Sequence, residues 1–222
     1  MAVIVRVWDA PTRLFHWTLS LCVVGLFATS QVGGGAMVWH FRFGYGVLTL
    51  LLFRFVWGFY GGHWSRFSTF MVRPLLIWRY LQGLGKPQDS VGHNPLGALS
   101  VLTMLAFLSL QVASGLVSDD AIAAAGPLVR FVSSTWVGNA TFYHKEIGKI
   151  ILLGLVALHL GAIAFYYFRK HEDLIIPMIT GNKTVSIKAP SARDGAPERQ
   201  QAGLIFLACI ALVSSLVIGL NG

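Results

Sequence analysis

The chain has 222 residues, of which 55% are hydrophobic and 12% charged, and its formal charge is +8. Soluble domains carry about a quarter charged residues, so the balance excludes an ordinary soluble fold and predicts an integral membrane protein with a single membrane domain. The positive charge does not suggest nucleic acid, because the basic residues gather in particular loops and report orientation instead.

The first apolar run is Leu14–Ser30, preceded by Arg6 and Arg13. No small-residue cleavage site follows it convincingly and it carries His16, so it reads as a retained span rather than a removable signal. The second run is Phe41–Tyr60, opened by His40 and interrupted by Arg54. A basic connection with Arg66, Arg73, Arg79 and Lys86 leads to the third run, Leu96–Val117. The next stretch, Ala121–Val137, is broken by Pro127, Arg130, Ser133 and Ser134, and reads as an interfacial loop or short helix. The fourth run, Ile147–Phe168, is headed by His144 and carries His159. A polar connection with Lys183, Lys188, Arg193 and Arg199 precedes the fifth, Gly203–Leu220. Each run approaches the ~20 residues that cross a ~30 Å hydrocarbon core.

Basic connections alternate with poor ones, which puts the N-terminus in the cytoplasm and the C-terminus on the opposite side of the membrane. The expected fold is an all-α membrane protein, an antiparallel four-helix transmembrane bundle with a fifth C-terminal transmembrane helix. Its divisions are a transmembrane domain over 1–180, a cytoplasmic linker over 181–202 and the extra helix over 203–222. That linker leaves the fifth span room to pack outside the bundle. Six tryptophans, Trp17, Trp39, Trp57, Trp64, Trp78 and Trp136, fall near the expected interfaces, as an aromatic belt would. Cys22 and Cys209 sit within apolar runs as small hydrophobes.

Ionisable side chains inside spans are costly and are functional candidates by default. His16 and His40 each lie at the start of their span, His16 near the cytoplasmic side and His40 near the outer side. His159 follows His144 by 15 residues, about 22 Å along a helix and about 60° off its face. Both fit within one inward arc of ~100°. His16 with His159, and His40 with His144, then form two tiers, each able to give one iron an axial imidazole from each of two helices. No C-x-x-C-H motif occurs, so such haem would be held non-covalently, as haem b is. A single histidine at a helix end also serves as an interfacial or capping residue. His159, within LLGLVALHLGAIAF, has interhelical hydrogen bonding as its alternative.

Arg54 falls about 21 Å beyond His40 along its helix. A buried arginine needs an anion, which a haem propionate would supply, unless the side chain snorkels to the headgroups. Arg13 either serves the same propionates or anchors the inner face. His93, in GHNPLG, is placed to meet a propionate or a quinone headgroup, while His63 and His171 read as solvated. Gly44, Gly46, Ser114, Gly115, Gly148 and Gly154 leave room for a flat macrocycle or for close helix packing.

The motifs VWDAPTRLFHW, WHFRFGYG, FRFVWGFYGG with HWSRF, GHNPLG, and YHKEIGKIILLGLVALH before PMITGNK resemble, in this order, the bacterial cytochrome b561 family, which includes cytochrome b subunits of nickel–iron hydrogenases. The likeness covers residues 3 to 183. It implies a four-helix core with two b haems, His16 and His159 ligating the inner one and His40 and His144 the outer. Similar proteins commonly space the two histidines of the fourth span, here His144 and His159, by 14 residues; a local wide turn would absorb the extra one. The fifth span departs from the plain four-helix members and would offer a contact surface to a partner subunit.

The resemblance implies electron transfer between quinone or quinol and a periplasmic partner, either a c-type cytochrome or a catalytic redox subunit, with an oligomer compatible. Two other readings stay open. One is a stand-alone quinone oxidoreductase acting on a small oxidant such as superoxide, and the other a haem-free transporter or scaffold.

Overall fold

The computed structural model describes residues 2–70, 73–121 and 124–221. In chain order it has strand β1 (Val3–Arg6), helices α1 (Ala10–Val32), α2 (Met37–Tyr60), α3 (Pro74–Leu81), α4 (Pro95–Leu116) and α5 (Ser134–Phe142). A π-helical turn, Tyr143–Gly148, joins α5 to α6 (Lys149–Arg169). Then come α7 (Ile175–Thr180), strand β2 (Asn182–Val185) and α8 (Ala196–Asn221). Among the described residues, five helices are long and apolar enough to cross a membrane: Ala10–Val32, Gly34–Tyr60, Gln88–Leu116, Ser134–Arg169 and Ala196–Leu220. The protein is therefore an all-α membrane protein. Leu21, Val24, Leu158, Leu160, Leu207 and Ile218 are exposed, a surface that suits lipid and would aggregate in water.

Several helices begin earlier than their apolar runs. α1 starts at Ala10 because the Asp9 carboxylate accepts the Thr12 amide proton at 2.8 Å, and Pro11 occupies the first turn. The fourth spanning helix starts at Ser134, so His144 lies inside it rather than opening it. Asn139, Thr141, Lys145 and Glu146 interrupt the apolar run, but a helix needs only its backbone bonds to continue. Of the stretch Ala121–Val137, residues 122 and 123 lie outside the described residues. The rest holds a bridge from Asp119 to Ala125 and a 3₁₀ turn at Val129–Phe131. α8 begins at Ala196, with Pro197 and Glu198 in its first turn, where a carboxylate complements the helix dipole.

The chain forms two compact units. One comprises Met1–His16, Arg54–Thr103 and Ala157–Ile205. Here β1 pairs antiparallel with β2, Val3 opposite Val185 and Arg6 opposite Asn182. Val5, Val7, Trp8 and Val91 form its small core. Gly181 ends α7 at φ +88°, and its carbonyl accepts the amides of Val7 (2.8 Å) and Trp8 (3.1 Å). A Cβ there would lie 2.6 Å from the Trp8 carbonyl oxygen, so both the backbone angle and the close approach call for glycine. The segment read as a linker is fastened to this unit. The Ala192 amide donates to the Arg6 carbonyl at 2.7 Å, and Trp64 Nε1 donates to the Pro190 carbonyl at 2.8 Å. The buried Asp194 side chain pairs with Arg6, Arg13 and Arg199 and accepts the Ala10 amide proton at 3.0 Å. Burial opposes its ionisation, but hydrogen bonds from Arg199, the Ala10 amide and Arg6 outweigh that and hold the carboxyl below its usual range.

The other unit comprises Trp17–Phe53, Met104–Val156 and Phe206–Gly222. Gly25 on α1 admits the Phe43 ring of α2; a Cβ would sit 2.7 Å from that ring. α2 buries Val47, Leu50, Leu51 and Phe53, and α4 buries Leu105 and Leu108. α8 buries Cys209 and Val213 at helical spacing. Its Phe206 meets Phe53 of α2 edge to face, ring centroids 5.8 Å apart. The fifth span thus packs directly on the second.

Candidate haem sites

In the first unit, α1 carries His16 and α6 carries His159, with ring centroids 6.4 Å apart and planes inclined by 51°. In the second, His40 of α2 and His144 of the π-helical turn are 6.2 Å apart at 85°. Two imidazoles bound in line to one metal, at ~2.0 Å per bond and with ~1.1 Å from nitrogen to ring centre, would place their centroids ~6.2 Å apart. Among the described residues no group of three or more His, Cys, Asp or Glu converges. Two imidazoles are too few for a bare ion of the zinc type. They suit a metal whose equatorial positions a macrocycle fills.

The second pair is also oriented from behind. His40 Nδ1 lies 3.1 Å from the Leu26 carbonyl and 3.3 Å from Thr29 Oγ1. His144 Nδ1 lies 2.9 Å from the Gln111 carbonyl and 3.3 Å from Ser114 Oγ. A carbonyl only accepts, so each Nδ1–H donates to it and each Nε2 keeps its lone pair. This is how a histidine is presented to a metal. Gly115 lies beneath the same ring: a Cβ there would be 2.7 Å from His144 Cε1. The other small residues divide. Gly148 gives room to the side chains of Gln111 and Tyr143, while a Cβ at Gly44 or Gly154 would meet nothing within 4 Å. Gly44 lies four residues after His40, on the same helix face.

Arg54 does not reach the protein surface. It is 3% exposed, stacks over Phe67 at 4.8 Å and Phe70 at 5.9 Å, and its Nη1 is buried without a hydrogen-bond partner. An orphaned guanidinium nitrogen fits an anionic group such as a propionate. Its nearby countercharge is Asp9. Arg13 is engaged by Asp194 at 3.8 Å and by the Ile179 carbonyl. His93 stacks with Trp8 and with Phe70, each at 4.6 Å, and its Nδ1 is likewise buried without a partner. It also lines a cavity with Trp64, Phe70, Arg73 and Gln88. His63 and His171 are exposed.

Asp9 is fully buried and accepts four hydrogen bonds: the Thr12 amide at 2.8 Å, Trp57 Nε1 at 3.1 Å, the Gly62 amide at 3.1 Å and Ser65 Oγ at 2.6 Å. It ties the start of α1, which carries His16, to the end of α2, which carries Arg54. Trp57 is accordingly a buried donor and not a member of an interfacial belt. Sequence reasoning missed Asp9, Thr29 and Gln111. Only Asp9 left a signal, as an N-cap before Ala-Pro.

Helices that cross a membrane and present imidazoles in facing pairs describe a cytochrome-like membrane bundle. The chain belongs to the prokaryotic cytochrome b561 family, whose model matches residues 7–181. It is thereby a haem b electron-transfer protein of the membrane. A probable Ni/Fe-hydrogenase B-type cytochrome subunit of Bradyrhizobium diazoefficiens is 24% identical, the match covering 81% of this chain and 85% of that one. The probable Ni/Fe-hydrogenase 1 B-type cytochrome subunit of Escherichia coli K12 is 25% identical, over 76% and 83%. The probable Ni/Fe-hydrogenase B-type cytochrome subunit of Azotobacter vinelandii is 30% identical over 44% and 51%. No solved structure matches the chain.

Proposed function

We propose that the protein is a di-haem cytochrome b, one haem held by His16 and His159 and the other by His40 and His144. In this reading it carries electrons across the bacterial inner membrane, N-terminus in the cytoplasm and C-terminus in the periplasm. Quinone or quinol is one redox partner. The other is a catalytic subunit on the periplasmic side, of the hydrogenase type that the relatives' names suggest. Residues 1–180 are the di-haem domain, and α8 is an addition available to a partner subunit.

The observation that carries the reading is the separation of the two imidazole pairs, 6.4 and 6.2 Å between centroids. Bound haem supplies one-electron redox chemistry. The residues do the rest. The carbonyls of Leu26 and Gln111 keep His40 and His144 in the tautomer that presents Nε2. A haem held by two of these histidines would have no open coordination position, which favours electron transfer over chemistry at the metal. Arg54 holds a propionate, and His93 contacts either a propionate or a quinone headgroup.

The test is a reduced-minus-oxidised visible spectrum with haem content per polypeptide, on the parent and on four single His→Ala variants. The expected result is two haems in the parent and one lost in each variant. A parent with no b-type α band, or variants that all retain two haems, would refute the proposal.

A further inference from the structure

The π-helical turn, Tyr143–Gly148, is where residue 144 sits, and one residue of α4 grips residue 144 twice. Gln111 Nε2 donates to the backbone carbonyl of His144 at 2.9 Å, and the Gln111 carbonyl accepts from His144 Nδ1 at 2.9 Å. A π turn interrupts the regular ladder of helical hydrogen bonds, so its carbonyls need other donors. The Gln111 amide supplies one at the residue proposed as a ligand. The approach depends on Gly148, where a Cβ would collide with Gln111 Oε1. Ser114 and Gly115 follow at the third and fourth positions after Gln111, the spacing of one helix face. They too meet the imidazole.

A π turn accommodates one more residue than an α turn. Closing it into regular helix with the same residues would rotate His144 by about 100° around the axis relative to the α6 residues that follow. Nδ1 would then leave the Gln111 carbonyl.

We propose that Gln111 is a positioning residue that holds the π turn open and so aims His144. This rests on His144 being a haem ligand. What is fixed is the direction of the ring, and the turn and the glutamine are two halves of one device. Gln111→Leu keeps the backbone acceptor and removes only the side-chain donor. Deleting Glu146, which is exposed within the turn, shortens the segment by the one residue the π turn accommodates and lets a regular helix present His144 in the same direction without Gln111.

The experiment is a redox titration, with low-temperature EPR of the oxidised haems, on the full-length holoprotein. The variants are Gln111→Leu, Gly148→Ala, deletion of Glu146, and the deletion combined with Gln111→Leu. Gln111→Leu and Gly148→Ala are expected to shift the midpoint potential and low-spin EPR signature of one haem, leaving the other unchanged. The double variant is expected to return the signature of the deletion alone, because the regular helix no longer needs the glutamine. Parent-like potential and signature in Gln111→Leu would overturn the proposal. So would a Gln111→Leu shift as large with the deletion as without it. His144→Ala separates the two levels. Loss of one haem there with no effect of Gln111→Leu sinks only the positioning role. Two haems retained in His144→Ala sink the ligand assignment itself.

Discussion

Gly115→Ala tests the His144 site by putting a methyl group in place of one hydrogen. The new Cβ would lie 2.7 Å from Cε1, 3.1 Å from Nδ1 and 3.5 Å from Nε2 of His144. Carbon atoms in contact prefer about 3.5–4.0 Å, so the overlap with Cε1 is about 1 Å. The ring has little freedom to withdraw, because its Nδ1–H is tied to the Gln111 carbonyl at 2.9 Å. Overpacking of this kind costs about 1–3 kcal/mol. Charged against haem binding, that weakens retention by about 5- to 150-fold. The assay is loss of haem from the purified protein to excess apomyoglobin, followed by the Soret band. One haem should leave faster and the other at the parental rate. Gly203→Ala, where a Cβ meets nothing within 4 Å, is the control and should match the parent. If Gly115→Ala releases both haems at parental rates with an unchanged spectrum, Gly115 is not what seats the ring.

His159→Ala is expected to lose one haem and most transmembrane electron flow, while His63→Ala changes neither haem; haem loss in His63→Ala would mean that the wrong histidines were chosen. Asp9→Ala removes the shared acceptor of the Thr12 amide, Trp57 Nε1, the Gly62 amide and Ser65 Oγ, and with hydrogen bonds to a charged group worth about 1.5–3 kcal/mol each the loss should exceed about 3 kcal/mol. Thermal denaturation in mild detergent measures it, and an unchanged midpoint would contradict the network. Asp194 has a carboxyl held below its usual range, so its stabilisation of the strand pair is present above the ordinary carboxylate range and fades as pH falls through the lowered value. Amide protection over residues 182–195, corrected for the intrinsic pH dependence of exchange, should fall with acid in the parent and be low at every pH in Asp194→Asn; identical protection profiles would remove Asp194 from that role.

The sequence by itself determined the class of architecture and the identity of the paired residues. Apolar runs of membrane length cannot be hidden by packing, because the bilayer reads composition directly. An imidazole within LLGLVALHLGAIAF is equally visible, since polarity in such a run is costly. Helix starts were less legible. Hydropathy began the fourth span at Ile147, yet its helix reaches back to Ser134, because backbone bonding is indifferent to Asn139, Lys145 and Glu146. Residues 181–202 looked like a linker because Asp194 and Gly181 are ordinary loop residues until Arg6, Arg199 and Trp8 come to meet them. Only the tertiary structure decided what stands behind the histidines. The Leu26 and Gln111 carbonyls carry no side-chain signature at all, and Gln111 acts on His144 from 33 positions away. The physical reason is that a ligand's type is a local property of the chain, whereas its direction is set by groups that only folding brings within hydrogen-bonding distance.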